Sequence, residues 1–145
     1  MSDSLRLYPA VDRIAYVESL LADAGLPTSN VRSKPDCFRV AVVGDAPVGT
    51  GGIEPLGSNG LLRSVVVAPS ERGRGYGGAL VEALADRARE DGIESLYLLT
   101  TTAADFFTTH GFQRVARESV PAPVGETAQF DELCPETATV MCKRL

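Results

Sequence analysis

Apolar residues at Val11, Ile14, Ala15, Val17, Leu20 and Leu21 recur at the spacing of an amphipathic helix, predicting one over Val11–Ala24. Gly25 is its natural C-terminal stop, and Pro27 prevents it from resuming. Phe38–Val43 reads as a strand, and Gly44-Asp45-Ala46-Pro47 turns it into a second, Val48–Ile53. Glycines at 49, 51 and 52 mark that second strand as a place of bulging or close backbone approach. After Gly57-Ser58-Asn59-Gly60, the β-rich segment Leu61–Ala68 forms a third strand of an antiparallel meander. A glycine-rich turn then opens a helix with Leu80, Val81, Leu84, Ala85 and Ala88 on one side. Glu82, Asp86, Arg87, Arg89 and Glu90 fall on the other.

Gly92 closes that helix, Ile93–Thr100 is a strand, and Ala103–Thr109 is a short helix ending at Gly111. Strands near Phe112–Arg117 and at Thr137–Lys143 finish the chain. The expected order is helix, three antiparallel strands, helix, strand, helix, two strands. The helix between the third and fourth strands is a crossover, so those strands should be parallel. This pattern gives an α/β class with a mixed central sheet, not a doubly wound one.

At 145 residues the chain suits a single domain over 1–145, and its 44% hydrophobic and 23% charged content is that of an ordinary globular protein. No apolar run approaches the roughly 20 residues that cross a bilayer. Met1-Ser2-Asp3-Ser4-Leu5-Arg6 lacks a secretory pattern, so the expectation is a cytoplasmic protein with no membrane partner. Cys37, Cys134 and Cys142 are too scattered for a disulfide framework or paired metal ligands, and His110 is the lone imidazole, so no metal is expected. A net charge of −5 argues against nucleic acid as a partner. Positive charge gathers instead at Arg72 and Arg74, among glycines, where it suits a small anionic ligand.

Those arginines belong to Arg72-Gly73-Arg74-Gly75-Tyr76-Gly77-Gly78, which joins a strand end to a helix start. Unpartnered N–H groups and the helix dipole favour an anion there, and glycines let the backbone approach a phosphate. A P-loop would need Gly-Lys-Ser/Thr, and the chain has Gly77-Gly78-Ala79. Gly73-x-Gly75-x-x-Gly78 matches a dinucleotide fingerprint literally. That fingerprint also requires an acid at the end of the next strand, where this chain has Leu99-Thr100-Thr101-Thr102. The third pattern, Arg/Gln-x-x-Gly-x-Gly/Ala, is matched by Arg72 through Gly77, just after Val67-Ala68-Pro69. In this the chain resembles the GNAT superfamily of acyl-CoA N-acyltransferases. A later segment, Ala104-Asp105-Phe106-Phe107-Thr108-Thr109-His110-Gly111-Phe112, is similar to that family's Ala-x-x-Phe-Tyr-x-x-x-Gly-Phe.

The resemblance runs from about Val11 to Phe112 and implies a GNAT-like mixed sheet whose antiparallel N-terminal meander leads to a splayed parallel strand pair, with flanking helices. It implies acetyl-CoA as co-substrate, with the backbone of Val65, Val66 and Val67 facing pantetheine. Arg72, Gly73, Arg74, Gly75, Tyr76, Gly77 and Gly78 would surround the pyrophosphate. A homodimer is an assembly found among relatives. Where many relatives use a tyrosine to protonate the departing thiolate this chain has Phe107, and Thr100 replaces a frequent asparagine. Gln129-Phe130, Leu133-Cys134-Pro135 and Thr139-Val140-Met141 resemble a narrower group, the small GNAT proteins labelled arsenic-resistance N-acetyltransferases. That likeness suggests a toxic amino-acid analogue as substrate.

Direct transfer needs a neutral amine, an oriented thioester and a donor for the oxyanion. Glu54, at the end of the glycine-rich strand, is the candidate base, with an exposed strand-end glutamate as the plain alternative. Glu71 is expected to face solvent, and His110 to cap or face solvent at a helix end. Arg63 suits a substrate carboxylate, an oxyanion or a salt bridge, and a backbone N–H near Val65 suits the oxyanion. The expected activity is acetyl transfer to a small primary amine. An acyl-CoA-binding module without useful turnover is the alternative that Phe107 motivates.

Overall fold

The computed structural model describes residues 5–25, 28, 31–32, 34–71, 73, 75–100, 103–121, 124 and 138–145. Strand β1 (Leu5–Pro9) precedes a 3-10 turn, Val11–Arg13, that leads into helix α1 (Ile14–Asp23). Then come β2 (Phe38–Val43), β3 (Ala46–Leu56), β4 (Asn59–Val67), α2 (Tyr76–Glu90), β5 (Ser95–Thr100), α3 (Ala104–Thr109), β6 (Gln113–Arg114) and β7 (Thr139–Arg144). The sheet order is β1-β2-β3-β4-β5-β7-β6. β1 with β2, β2 with β3, β5 with β7 and β6 with β7 are antiparallel.

β4 and β5 are parallel, as a crossover through α2 requires. Their register covers only Asn59–Leu61 against Ser95–Tyr97, whereas β5 keeps its partner β7 from Ser95 to Thr100. The mixed sheet with a splayed parallel pair is therefore as expected. β1 corrects the expected order, which began on a helix. Leu5-Arg6-Leu7-Tyr8-Pro9 is too short to carry a decisive alternation, and it is held by pairing with Arg39–Val43.

The residues fall into two compact units, Met1–Ile53 with Ser64–Leu84, and Glu54–Arg63 with Ala85–Leu145. In the first, Val17, Leu20 and Leu21 of α1 pack with Phe38, Val40, Val42 and Val66. Gly51 admits α2 here: a Cβ on it would stand 2.5 Å from Leu84 Cδ1. A leucine buried in this way contributes about 1.5–3 kcal/mol. In the second, Leu61, Val124 and Val140 gather Leu56, Tyr97, Leu99, Val115 and Val120 around them.

Along α2, Leu80, Val81, Leu84, Ala85 and Ala88 are buried while Glu82, Asp86, Arg87, Arg89 and Glu90 are exposed, the division its periodicity predicts. β6 is shorter than the strand expected near Phe112–Arg117, because Phe112 turns into the core and Arg117–Ser119 forms a 3-10 turn.

Candidate functional site

The glycine turn has the backbone that its sequence requires. Gly73 and Gly75 have φ of +83° and +80°, a region that side-chain-bearing residues rarely adopt. A Cβ at either position would meet nothing within 4 Å, so protein crowding is not what selects glycine. Gly25, Gly57 and Gly92 share both properties; what sets this turn apart is its place at the start of α2. Ala79 N–H donates to Gly75 O at 3.3 Å, which makes Gly75 the cap of α2. The N–H groups of Tyr76, Gly77 and Gly78 precede that first helical bond, so the helix leaves them for an anion. The backbone thus fits a diphosphate; Arg72 and Arg74 lie outside the described residues.

The end of β4 is arranged in the same unit. Ala68 N–H donates to Val48 O at 2.7 Å, and the Val66 carbonyl points at Gly49. Strand backbone groups alternate in direction, so Val65 turns its N–H and C=O to the opposite edge of β4. The Val66 side chain is buried in the core, while those of Val65 and Val67 are half-buried. One residue earlier, Ser64 has φ of +58°, a non-glycine residue in left-handed backbone. Such a residue carries strain of about 1–2 kcal/mol, and it lies past the end of the parallel register with β5. Tyr16 of α1 has a buried hydroxyl lacking a hydrogen-bond partner among the described residues. Burial pushes its pKa up, Arg13 pulls it down and Glu71 adds to the rise.

The second unit holds the charged candidates. Glu54 lies inside β3, not at an exposed strand end, because β3 continues to Leu56 and turns at Gly57-Ser58. Arg63 of β4 is buried, and its Nη1 stands 3.9 Å from Glu54 Oε2. The two were separate candidates in sequence; the hairpin makes them a pair. Counting outward from Gly57-Ser58 sets them as diagonal neighbours on one face, a signal obscured by ending the strand at Ile53. Positions two apart share a face, so the pair lies on the side of Leu56 and Leu61, two members of that unit's apolar cluster.

The remaining candidates are placed as follows. Glu71 is half-buried in the 3-10 turn Pro69–Glu71, which corrects its expected solvent-facing position. Phe107 is buried, its ring edge-on to Phe106 at 5.1 Å and to Phe112 at 5.5 Å. It fills core where relatives present a hydroxyl. Thr100 Oγ1 accepts from Ala103 N–H at 3.0 Å, which ties the end of β5 to the start of α3. His110 ends α3 with its ring 4.7 Å from that of Phe106, and its carbonyl accepts from Lys143 Nζ at 2.9 Å. Among the described residues no group of three or more His, Cys, Asp or Glu could hold a metal ion. No helix among them is long and apolar enough to cross a membrane.

The sequence profile described as the acetyltransferase (GNAT) family matches residues 4–112. An amino-acid acetyltransferase of Mycobacterium tuberculosis is 36% identical over 88 residues, which is 60% of this chain and 47% of that protein. One of Pseudomonas paraeruginosa is 40% identical over 63 residues, 43% of this chain and 15% of that protein. This chain therefore spans half or less of the length of these relatives. Among solved structures, N-acetylglutamate synthase of Neisseria gonorrhoeae, complexed with coenzyme A and L-arginine, superposes with a TM-score of 0.82 at 21% identity. That match covers 99% of this chain and 34% of the synthase. A Mycobacterium tuberculosis protein in complex with CoA gives 0.80 at 24% identity, covering 97% of this chain and 99% of that one. At these identities the superpositions establish the fold. With most of its length matched by the profile, the chain belongs to the GNAT acetyltransferase family.

Proposed function

We propose that this chain is an N-acetyltransferase that moves an acetyl group from acetyl-CoA to a primary amine of a small molecule by direct attack. The observation that carries the reading is the start of α2, where Gly73 and Gly75 are left-handed and the N–H groups of Tyr76, Gly77 and Gly78 precede the first helical bond. It supplies a diphosphate cradle, and the neighbouring outward edge of Val65 supplies backbone groups for pantetheine and a donor for the oxyanion. The CoA-bound neighbours and the names of the amino-acid acetyltransferase relatives support the same donor and an amino-acid-like acceptor. An analogue toxic to the cell falls within that acceptor class. We take the chain as one domain over 1–145 acting in the cytoplasm, with a homodimer as its assembly.

Acetyl-CoA supplies the activated acyl group; the protein's own part is to orient it, accept a proton from the amine and meet the developing negative oxygen. Glu54 is the base in this scheme. An amine of ordinary pKa is mostly protonated at neutral pH, and a carboxylate sheltered beside Arg63 is placed to relieve it. Glu54→Gln, assayed by CoA release, should lower kcat/KM by about 10²-fold. An unchanged kcat/KM would remove Glu54 from the mechanism.

Phe107 supports a second reading, an acyl-CoA-binding domain with little turnover, since this buried ring has no proton for a thiolate. Tight acetyl-CoA binding without CoA release across a panel of amines would select it.

A further inference from the structure

Three neighbouring strands of the second unit turn polar side chains to one face of the sheet. Ser95 stands opposite Arg144, and Tyr97 opposite Cys142, in the ladder of β5 and β7. Gln113 of β6 stands opposite the same Cys142. Directly opposed residues project to the same side of a sheet, and so do residues two apart along a strand. The reverse side carries Leu96, Leu98 and Met141, all buried in the core. On the polar side, Ser95, Tyr97, Gln113, Val115, Cys142 and Arg144 line a cleft of about 430 Å³, a volume in the range of small-molecule sites.

The cleft has an apolar floor and a polar rim. Tyr97 and Val115 of the floor pack against the cluster of Leu61, Val124 and Val140. Gln113 and Arg144 are exposed at the rim. The Tyr97 hydroxyl donates to the Cys142 sulfur, and the Arg144 charge acts on both groups, so the guanidinium stands close to this pair. Lys143, which alternation turns to the reverse side, gives its ammonium to the His110 carbonyl at 2.9 Å. Among the described residues lining the cleft there is no carboxylate, in a chain whose net charge is −5. One cation above an apolar floor matches a ligand with one negative charge and an apolar body. A guanidinium offers a carboxylate two parallel N–H donors, whereas a phosphate dianion would bring a second charge that the lining does not answer.

We propose that this cleft binds a small amphipathic carboxylate, its charge on Arg144 and its apolar body along Tyr97 and Val115. None of these residues is a candidate for holding acetyl-CoA or for the base. The site therefore stands whether or not the chain transfers an acetyl group.

Calorimetric titration of the full chain in excess acetyl-CoA tests this, with hexanoate as the probe against acetate, methyl hexanoate and inorganic phosphate. Hexanoate should bind at least about tenfold more tightly than each of the others. Acetate and phosphate lack the apolar body, and the ester lacks the charge. Arg144→Gln should weaken hexanoate at least about tenfold and Arg144→Lys by less, both with unchanged Tm. Arg114→Gln is the control, since Arg114 is turned to the other side of β6 and pairs with Asp105 at 3.6 Å; it should bind hexanoate as wild type does. Hexanoate should also shift the NMR amide signals of Gly111 and Gln113, both in the cleft. These shifts place the probe even if the protein takes up no acetyl-CoA. Acetate, ester or phosphate bound as tightly as hexanoate would overturn the proposal. So would full affinity in Arg144→Gln, or shifts confined to residues outside the cleft.

Discussion

A Cβ placed on Gly49 would stand 2.5 Å from the carbonyl oxygen of Val66, a distance that no real side chain tolerates. Strand β3 therefore passes β4 too closely for any residue but glycine, at the point where β4 turns Val65 to its other edge. Gly49→Ala should force the strands apart, lowering stability by about 1–3 kcal/mol and weakening acetyl-CoA binding together with it. Thermal denaturation and calorimetric titration of the same variant check both; an alanine accepted without change in either would contradict the close approach.

Gly75 answers to a different constraint. Its φ of +80° is unfavourable for a β-branched residue, yet the position has open space around it. Gly75→Val should shift Tm by only a few degrees, as expected for strain of about 1–2 kcal/mol. Acetyl-CoA affinity should fall at least about tenfold, because the new side chain occupies the approach of the phosphates. Retained affinity would sink the cradle argument.

Phe107 is expected to matter for packing and not for chemistry. Phe107→Leu loses two edge-on ring contacts and should destabilise the protein by about 1–2 kcal/mol. The rate of CoA release at saturating substrate should stay within about twofold of wild type, since neither side chain carries a proton to give. A large fall in that rate with little loss of stability would show that the ring has a part in turnover.

Tyr97 and Cys142 face each other across β5 and β7. Burial is the first cause raising the pKa of each; a hydrogen bond from Tyr97 and the charge of Arg144 offset part of the rise at Cys142. Both groups are neutral when protonated, and a folded pKa above the unfolded one favours the fold while they stay protonated. Their contribution is fully present below the ordinary values of 9.0 and 10.0 and is lost as pH rises through the higher folded values. Denaturant unfolding should show stability declining above about pH 9, with a shallower decline in Tyr97→Phe/Cys142→Ala. An equal decline in that variant would assign the effect to other groups.

Much of this architecture could be read directly from local pattern. The 3.6-residue recurrence from Leu80 to Ala88 fixed the buried face of α2, and the glycines at 73 and 75 marked the left-handed turn. What escaped depended on pairing between distant segments. β1 is short and exists through its ladder with β2. The sheltering of Glu54 follows from a two-residue turn at Gly57-Ser58 that lengthens β3, and the strained φ of Ser64 has no signature in the residue itself. Arg72, Arg74, Cys134 and the stretch Gln129–Pro135 lie outside the described residues.

CoA release from acetyl-CoA, followed over time with and without a panel of free α-amino acids, tests the central claim most directly. Amine-dependent release, with an acetylated amino acid formed in equal amount, is the result expected of an acetyltransferase. Release no faster than the amine-free background, in protein that binds acetyl-CoA tightly, would contradict it and leave an acyl-CoA-binding domain.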